Sequence, residues 1–265
     1  MLDYGCNHHI WGGILGYKFI KHEQSQTAKI NDLKGQVALI SAKLDADTED
    51  AKTFTNAVSD DSFDYLAIGN SITKHGLADY WWGEWGMAAS DADHDYYHRV
   101  VGMLKRNSMN TVNSAVVSGY TWEVQSHDRD EALETIDPYL TYGIDLVTVQ
   151  LSENASDLST FEADFSSLLR HIKDVCGNNC QVIVIDDFWS EEKHNLKKNV
   201  CEEFDILFVD LSDIRGVAEY QVGMGTAVSG EDGEEHIIEH SGVAGHPGDE
   251  GMRIIAERVL VYITP

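Results

Sequence analysis

An α/β fold, with one five-stranded parallel sheet covered by helices on both faces, is predicted by three features of the sequence. Short apolar runs at residues 65–68, 111–117, 145–151, 181–185 and 206–209 alternate with amphipathic helical patterns. Each run stops at polar or turn-forming residues, as at Gly69-Asn70-Ser71, Ser118-Gly119-Tyr120, Ser152-Glu153-Asn154 and Asp186-Asp187. The chain also has 265 residues, 43% of them hydrophobic, which is enough to bury the core of a three-layer domain.

Taken in order, the chain begins with an extension. Residues 28–58 read as a helix, with Ile30, Leu33, Val37, Leu39, Ile40 and Leu44 at spacings of three and four. This sets a boundary near residue 60, with a mostly helical extension over 1–60 and the sheet domain over 61–265. The extension packs on the domain's flank or serves self-association, as in a homo-oligomer, or a membrane-proximal stalk. The apolar stretch 10–17 is too short to span a bilayer and has no basic segment ahead of it, so neither a membrane span nor a signal peptide is expected. His8 and His9 fall in a loop. Cytoplasmic and cell-surface or extracellular locations both remain open.

The first strand carries Phe63 to Ile68 into Gly69-Asn70-Ser71-Ile72-Thr73. A serine at the carboxyl end of a parallel strand points into the crevice where such sheets bind ligands, and a helix following it would aim free N–H groups at an anion there. Beyond it, Trp81, Trp82 and Trp85 crowd a glycine-broken loop. Two readings stand: they line a substrate cleft, or they bury the loop against the core. The acids Asp91, Asp93 and Asp95 lack the glycine and closing glutamate of an EF-hand and cap a helix over 94–105 instead. His94 and His98 sit one turn apart on it, but Asp95 stands where a zinc protease needs glutamate. Further helices are expected over 129–139, 159–175, 191–203 and 248–263.

Charge and cysteines narrow the function. With 45 acidic and 19 basic residues the formal net charge is −26, a surface that repels nucleic acid and anionic lipid headgroups. Cys176 and Cys180 are separated by three residues with no second pair, which disfavours zinc. A disulfide between them and two buried thiols are both open, and Cys6 and Cys201 stand apart. No metal and no cofactor is expected.

Near the far end, His246-Pro247-Gly248-Asp249 places a histidine just ahead of the last helix. Together, Gly69-Asn70-Ser71-Ile72, Gly119, Ser152-Glu153-Asn154 and His246-Pro247 resemble the four motif blocks of the SGNH, or GDSL-type, hydrolase superfamily in chain order. Asn70 replaces the usual Asp, Ile72 the Leu, and Ser152 the Gly of the third block. The resemblance covers roughly residues 62–263. It implies a flavodoxin-like three-layer α/β/α sandwich and a serine hydrolase with Ser71 as nucleophile and His246 as base. It assigns the oxyanion donors to the backbone N–H groups of Ser71 and Gly119 and the side-chain amide of Asn154. Asn154-Ala155-Ser156 also matches a glycosylation acceptor, but a modified Asn154 could not serve as a donor.

Many members carry an Asp three residues before the histidine, and Val243 occupies that position here. The Val243 carbonyl is the expected orienting group for the ring, with Glu239, Asp213 and Asp187 as alternative acids. The resemblance implies hydrolysis of a carboxylic ester. The tryptophan cluster, the acidic surface and the histidine block favour O-deacetylation of a carbohydrate. Compact loops without a long apolar lid argue against a long-chain lipase. An acyltransferase, an acyl-thioesterase and a non-catalytic carbohydrate-binding protein are the alternatives.

Overall fold

The computed structural model describes residues 46–125, 129 and 131–263, together with Lys34 and Lys43. The chain divides into two units, 1–50 and 51–265. Most of the helix expected over 28–58, with the association role assigned to it, and Cys6, His8 and His9 lie outside the described residues. Residues 51–57 are helical.

Five parallel strands form the sheet: β1 (Ser62–Gly69), β2 (Thr111–Ser118), β3 (Leu146–Gln150), β4 (Gln181–Ile185) and β5 (Leu207–Val209). Their order is β2-β1-β3-β4-β5, so the chain leaves β1 toward one edge and then crosses to fill the other. Ligands of such sheets bind at the carboxyl ends of the strands where the order reverses, here between β1 and β3. Central β3 is buried along its whole length, which is why it reads as a continuous run without alternation.

Along β1 the side chains alternate between two cores. Tyr65 and Ala67 join the cluster under helices α1 (Tyr96–Asn107) and α6 (Asp249–Tyr262), with Val100, Leu104, Met252 and Ile255. Leu66 and Ile68 join the opposite cluster under α3 (Phe161–Cys176) and α4 (Glu191–Phe204), with Phe165, Leu169 and Val200. This is the three-layer sandwich. Each such buried aliphatic side chain contributes roughly 1.5–3 kcal/mol by leaving water. Between β2 and α3 lies a short helix, α2 (Tyr120–Val124), and α5 (Ser241–Ala244) precedes α6.

Two local expectations are corrected. The helix expected over 129–139 is replaced by 3-10 turns at Glu131–Thr135 and Asp137–Tyr139, because Pro138 removes an N–H that a continuous helix would need. A two-stranded antiparallel hairpin, β6 (Ala227–Ser229) with β7 (Glu235–Ile237), lies in a stretch that carried no strand signal. Asp95 is the N-cap of α1, its carboxylate accepting from the His98 N–H at 2.7 Å. Cys176, Cys180 and Cys201 are free and buried. Among the described residues no helix is long and apolar enough to cross a membrane.

Candidate active site

The turn after β1 is tightly determined. A Cβ on Gly69 would fall 1.8 Å from Thr73 Oγ1, so only glycine lets the chain fold back here. The Asn70 N–H continues the β1–β3 ladder to the Gln150 carbonyl, and its Oδ1 accepts the Ile72 N–H. The Asn70 carbonyl accepts from Thr73 and Lys74, while the Met87 N–H reaches the Ser71 carbonyl at 2.7 Å. Residues 71–73 form a turn and not the start of a helix, so no helix dipole is aimed at Ser71.

His246 meets this turn from the other end of the chain. Its Nε2 lies 2.8 Å from Ser71 Oγ, while Nδ1 lies 2.8 Å from the Gly242 carbonyl. A carbonyl can only accept, so Nδ1 carries the proton and Nε2 presents its lone pair to the serine hydroxyl. The orienting carbonyl is therefore Gly242's, which corrects the expectation for Val243. The Val243 carbonyl accepts the His246 backbone N–H within the turn following α5, which points the ring back one residue further. Burial lowers the His246 pKa to about 4, against the raising effect of the Gly242 carbonyl, and the neighbouring His75 and His240 lower it further.

One aromatic ring borders His246 and another stacks on its neighbour His240. Trp189 meets it edge-on with centroids 4.9 Å apart, and the Trp189 indole N–H donates to the Gly245 carbonyl. Tyr80 stacks on His240 at 4.8 Å. Trp189 is 38% exposed and Tyr80 39%. The tryptophan cluster behaves differently. Trp81 and Trp85 are 1% and 7% exposed and pack edge-to-face in the core, so they line no cleft. Trp82 is half-buried and lies flat against His236, with centroids 4.4 Å apart.

The expected oxyanion donors divide. The Ser71 N–H makes no hydrogen bond among the described residues. The Gly119 N–H is taken up by the Gly69 carbonyl at 2.7 Å, because the β1–β2 ladder runs one residue past the end of β2. That corrects its assignment as a donor. One Asn154 Nδ2 hydrogen goes to Glu123 Oε2 at 2.7 Å, and the other has no partner among the described residues.

Behind these groups lies a polar cluster that no motif indicated. The two hydrogens of Asn70 Nδ2 go to Glu123 Oε1 and Glu153 Oε2, at 2.9 and 2.6 Å. Glu153 Oε1 also accepts from Gln150 and from the Phe188 N–H. Burial, and then the nearby Asp187 carboxylate, push the Glu153 pKa up to about 8. An Asp at position 70 would set a carboxylate against both glutamates, which accounts for asparagine here. Asp187 itself accepts from Ser152 Oγ and from the N–H groups of Trp189 and Ser190. Asp213 is paired with Arg258, and Glu239 is exposed.

A second cluster brings single donor atoms of Asp186, His194 and Asp210 within 4.8 Å of one another. Asp186 Oδ2 already accepts from Arg215, from His194 and from the Leu211 N–H, so the guanidinium supplies its counter-charge.

The histidine segment is braced to the serine side by loops. The N–H groups of Val222 and Gly223 donate to the carbonyls of His246 and Ala244. From the hairpin between them, the Glu231 N–H reaches the Trp82 carbonyl and the Ser229 N–H reaches the Ser90 carbonyl.

No protein-family model matches the chain, and no curated protein matches it in sequence. Among solved structures it is similar to a two-domain esterase active on acetylated mannans, with 14% identity and a TM-score of 0.49, over 76% of this chain and 48% of that one. It is similar to a protein described as a GDSL-like lipase from Bacteroides uniformis, with 17% identity and a TM-score of 0.47, over 76% and 95% of the two chains. A family two carbohydrate esterase from Clostridium thermocellum, an active-site mutant, gives 15% identity and a TM-score of 0.46, over 75% and 62%. The chain thus spans about half the length of the mannan esterase.

Proposed function

We propose that this chain is an SGNH-type serine esterase that cleaves carboxylic esters through an acyl-enzyme. The observation that carries this reading is the Ser71 Oγ–His246 Nε2 distance of 2.8 Å, with Gly242 fixing the tautomer that leaves Nε2 free to accept. Ser71 Oγ attacks the acyl carbon as its proton passes to Nε2. The resulting oxyanion takes donors from the Ser71 N–H and the free Asn154 amide hydrogen. His246 then returns the proton to the leaving alcohol, and a water activated by the same nitrogen releases the acid. The Gly242 carbonyl fills the orienting role of a triad acid, giving a Ser-His dyad.

The substrate class we infer is an O-acetylated carbohydrate. Support comes from the exposed ring of Trp189 beside His246 and that of Tyr80 stacked on His240, since aromatic faces suit the apolar faces of sugar rings. Ser71→Ala should fold and lose turnover of a chromogenic acetyl ester. Undiminished hydrolysis by that folded variant would remove the esterase reading.

A further inference from the structure

The short helix after β2 contributes a carboxylate to the site where a glycine N–H was expected. Glu123 lies on α2 and is 1% exposed, yet among the described residues every hydrogen bond to its carboxylate comes from the serine turn or from the turn after β3. Oε1 accepts from Asn70 Nδ2 at 2.9 Å and from the Ser152 N–H at 2.5 Å, and Oε2 accepts from Asn154 Nδ2 at 2.7 Å. These three partners converge on one group and come from two strand ends.

We propose that Glu123 is a positioning residue that fixes the two oxyanion donors, the Ser71 N–H and the Asn154 amide, relative to each other. This rests on the esterase reading above. An asparagine side chain free to rotate presents its amide hydrogens over a range of directions, whereas one hydrogen anchored on a buried carboxylate fixes the direction of the other. Glu123 does this for Asn154 directly and for Ser71 through Asn70, the preceding residue. A donor that is already aimed needs no reorganisation as charge develops on the oxyanion, which is where such groups contribute most. Glu123 itself touches no reacting atom. Burial raises its pKa, and the donors from Asn154, Asn70 and Ser152 oppose that rise by favouring the ionised form.

The test is Glu123→Gln, which keeps the shape but turns one oxygen into a donor facing amide hydrogens. With an aryl acetate as substrate, kcat should fall on the order of 10²-fold, the scale of losing one oxyanion donor, with KM little changed. Asn154→Ala should lose a similar amount. The double variant should be no slower than the slower single, because Asn154→Ala removes a donor that Glu123→Gln has already misdirected. Wild-type kcat in a folded Glu123→Gln protein, or losses that multiply in the double variant, would overturn the proposal. Should Glu123→Gln not fold, NMR of the wild-type protein decides. The two Asn154 side-chain amide hydrogens, identified by their absence in Asn154→Ala, should include one strongly protected from solvent exchange, and exchange as fast as that of an exposed asparagine for both rejects the anchor. An active Ser71→Ala removes the esterase reading as well. Inactive Ser71→Ala with unimpaired Glu123→Gln removes only this inference.

Discussion

His246 is oriented by the Gly242 main chain, with Nδ1 2.8 Å from a carbonyl that precedes it by four residues in sequence. No carboxylate hydrogen-bonds to the ring among the described residues. Asp213→Ala and Glu239→Ala should therefore lose less than about tenfold in kcat, far from the ~10⁴ associated with a triad acid. Asp187→Ala should act on stability instead, because it leaves the buried Ser152 hydroxyl and two N–H groups without their acceptor, at about 1–3 kcal/mol for each group left unsatisfied. Single-turnover rates on folded protein and thermal melts separate the two effects. A 10⁴-fold drop in rate at any of the three positions would identify a third triad member.

The pH profile follows from the burial of His246. Its pKa is lowered to about 4, so the imidazole stays neutral, and able to accept the Ser71 proton, until pH falls well below the ordinary 6.5. The acid limb of kcat/KM, which reports the free enzyme, should have its midpoint nearer 4 than 6.5. A midpoint at 6.5 or above would mean a carboxylate or open solvent reaches the ring in solution.

Trp81 and Trp85 should behave as core. Alanine at either should destabilise the fold by about 3–5 kcal/mol in denaturant titrations while leaving the KM of the folded fraction unchanged. Trp82→Ala should lose less stability, since the ring is only half-buried against His236. A raised KM for an acetylated sugar in Trp81→Ala or Trp85→Ala would return those rings to the cleft.

Glu153 should make the fold more sensitive to alkali. Its pKa is raised from 4.5 to about 8 on folding, so the folded state holds a proton that the unfolded chain gives up. Its stabilising contribution is full below about 4.5 and declines as pH rises, with the loss complete once pH has passed about 8. Glu153→Gln cannot ionise, so its Tm should fall less than the wild-type Tm between pH 5 and pH 9. These pH values are the ends of the measurement, set roughly around the two ionisation points. Parallel Tm curves for the two proteins would show that Glu153 is ionised throughout.

Much of this arrangement was legible in the sequence, and the parts that were not share a physical reason. All five strands were found from apolar runs, since a sheet covered on both faces demands them, and 181–185 matches β4 to the residue. Ser71 and His246, which the fold brings within 2.8 Å of each other, could be singled out because strand ends and pre-helix turns have local signatures. The orienting carbonyl was misplaced by one residue, because a turn's hydrogen-bond register depends on dihedral angles that composition does not reveal. Trp81 and Trp85 look the same in sequence whether they line a cleft or fill a core, and only the packing of α1 and α6 over the loop decides. Glu123 left no signal, because its partners Asn70 and Asn154 are 53 and 31 residues away.

The bracing of the site has a consequence for how the molecule responds to heat. Ser71 hangs directly from the central sheet, whereas His246 lies in the turn ahead of α6 and is joined to the serine side through loops and a three-residue-per-strand hairpin. Such segments open at lower free energy than a buried sheet. Catalytic competence and architecture should therefore part company on warming, with ester turnover lost reversibly several degrees before far-ultraviolet circular dichroism registers any melting, on the usual scale by which loops yield before cores. Coincident loss of both signals would mean that the hairpin and the sheet unfold as one unit.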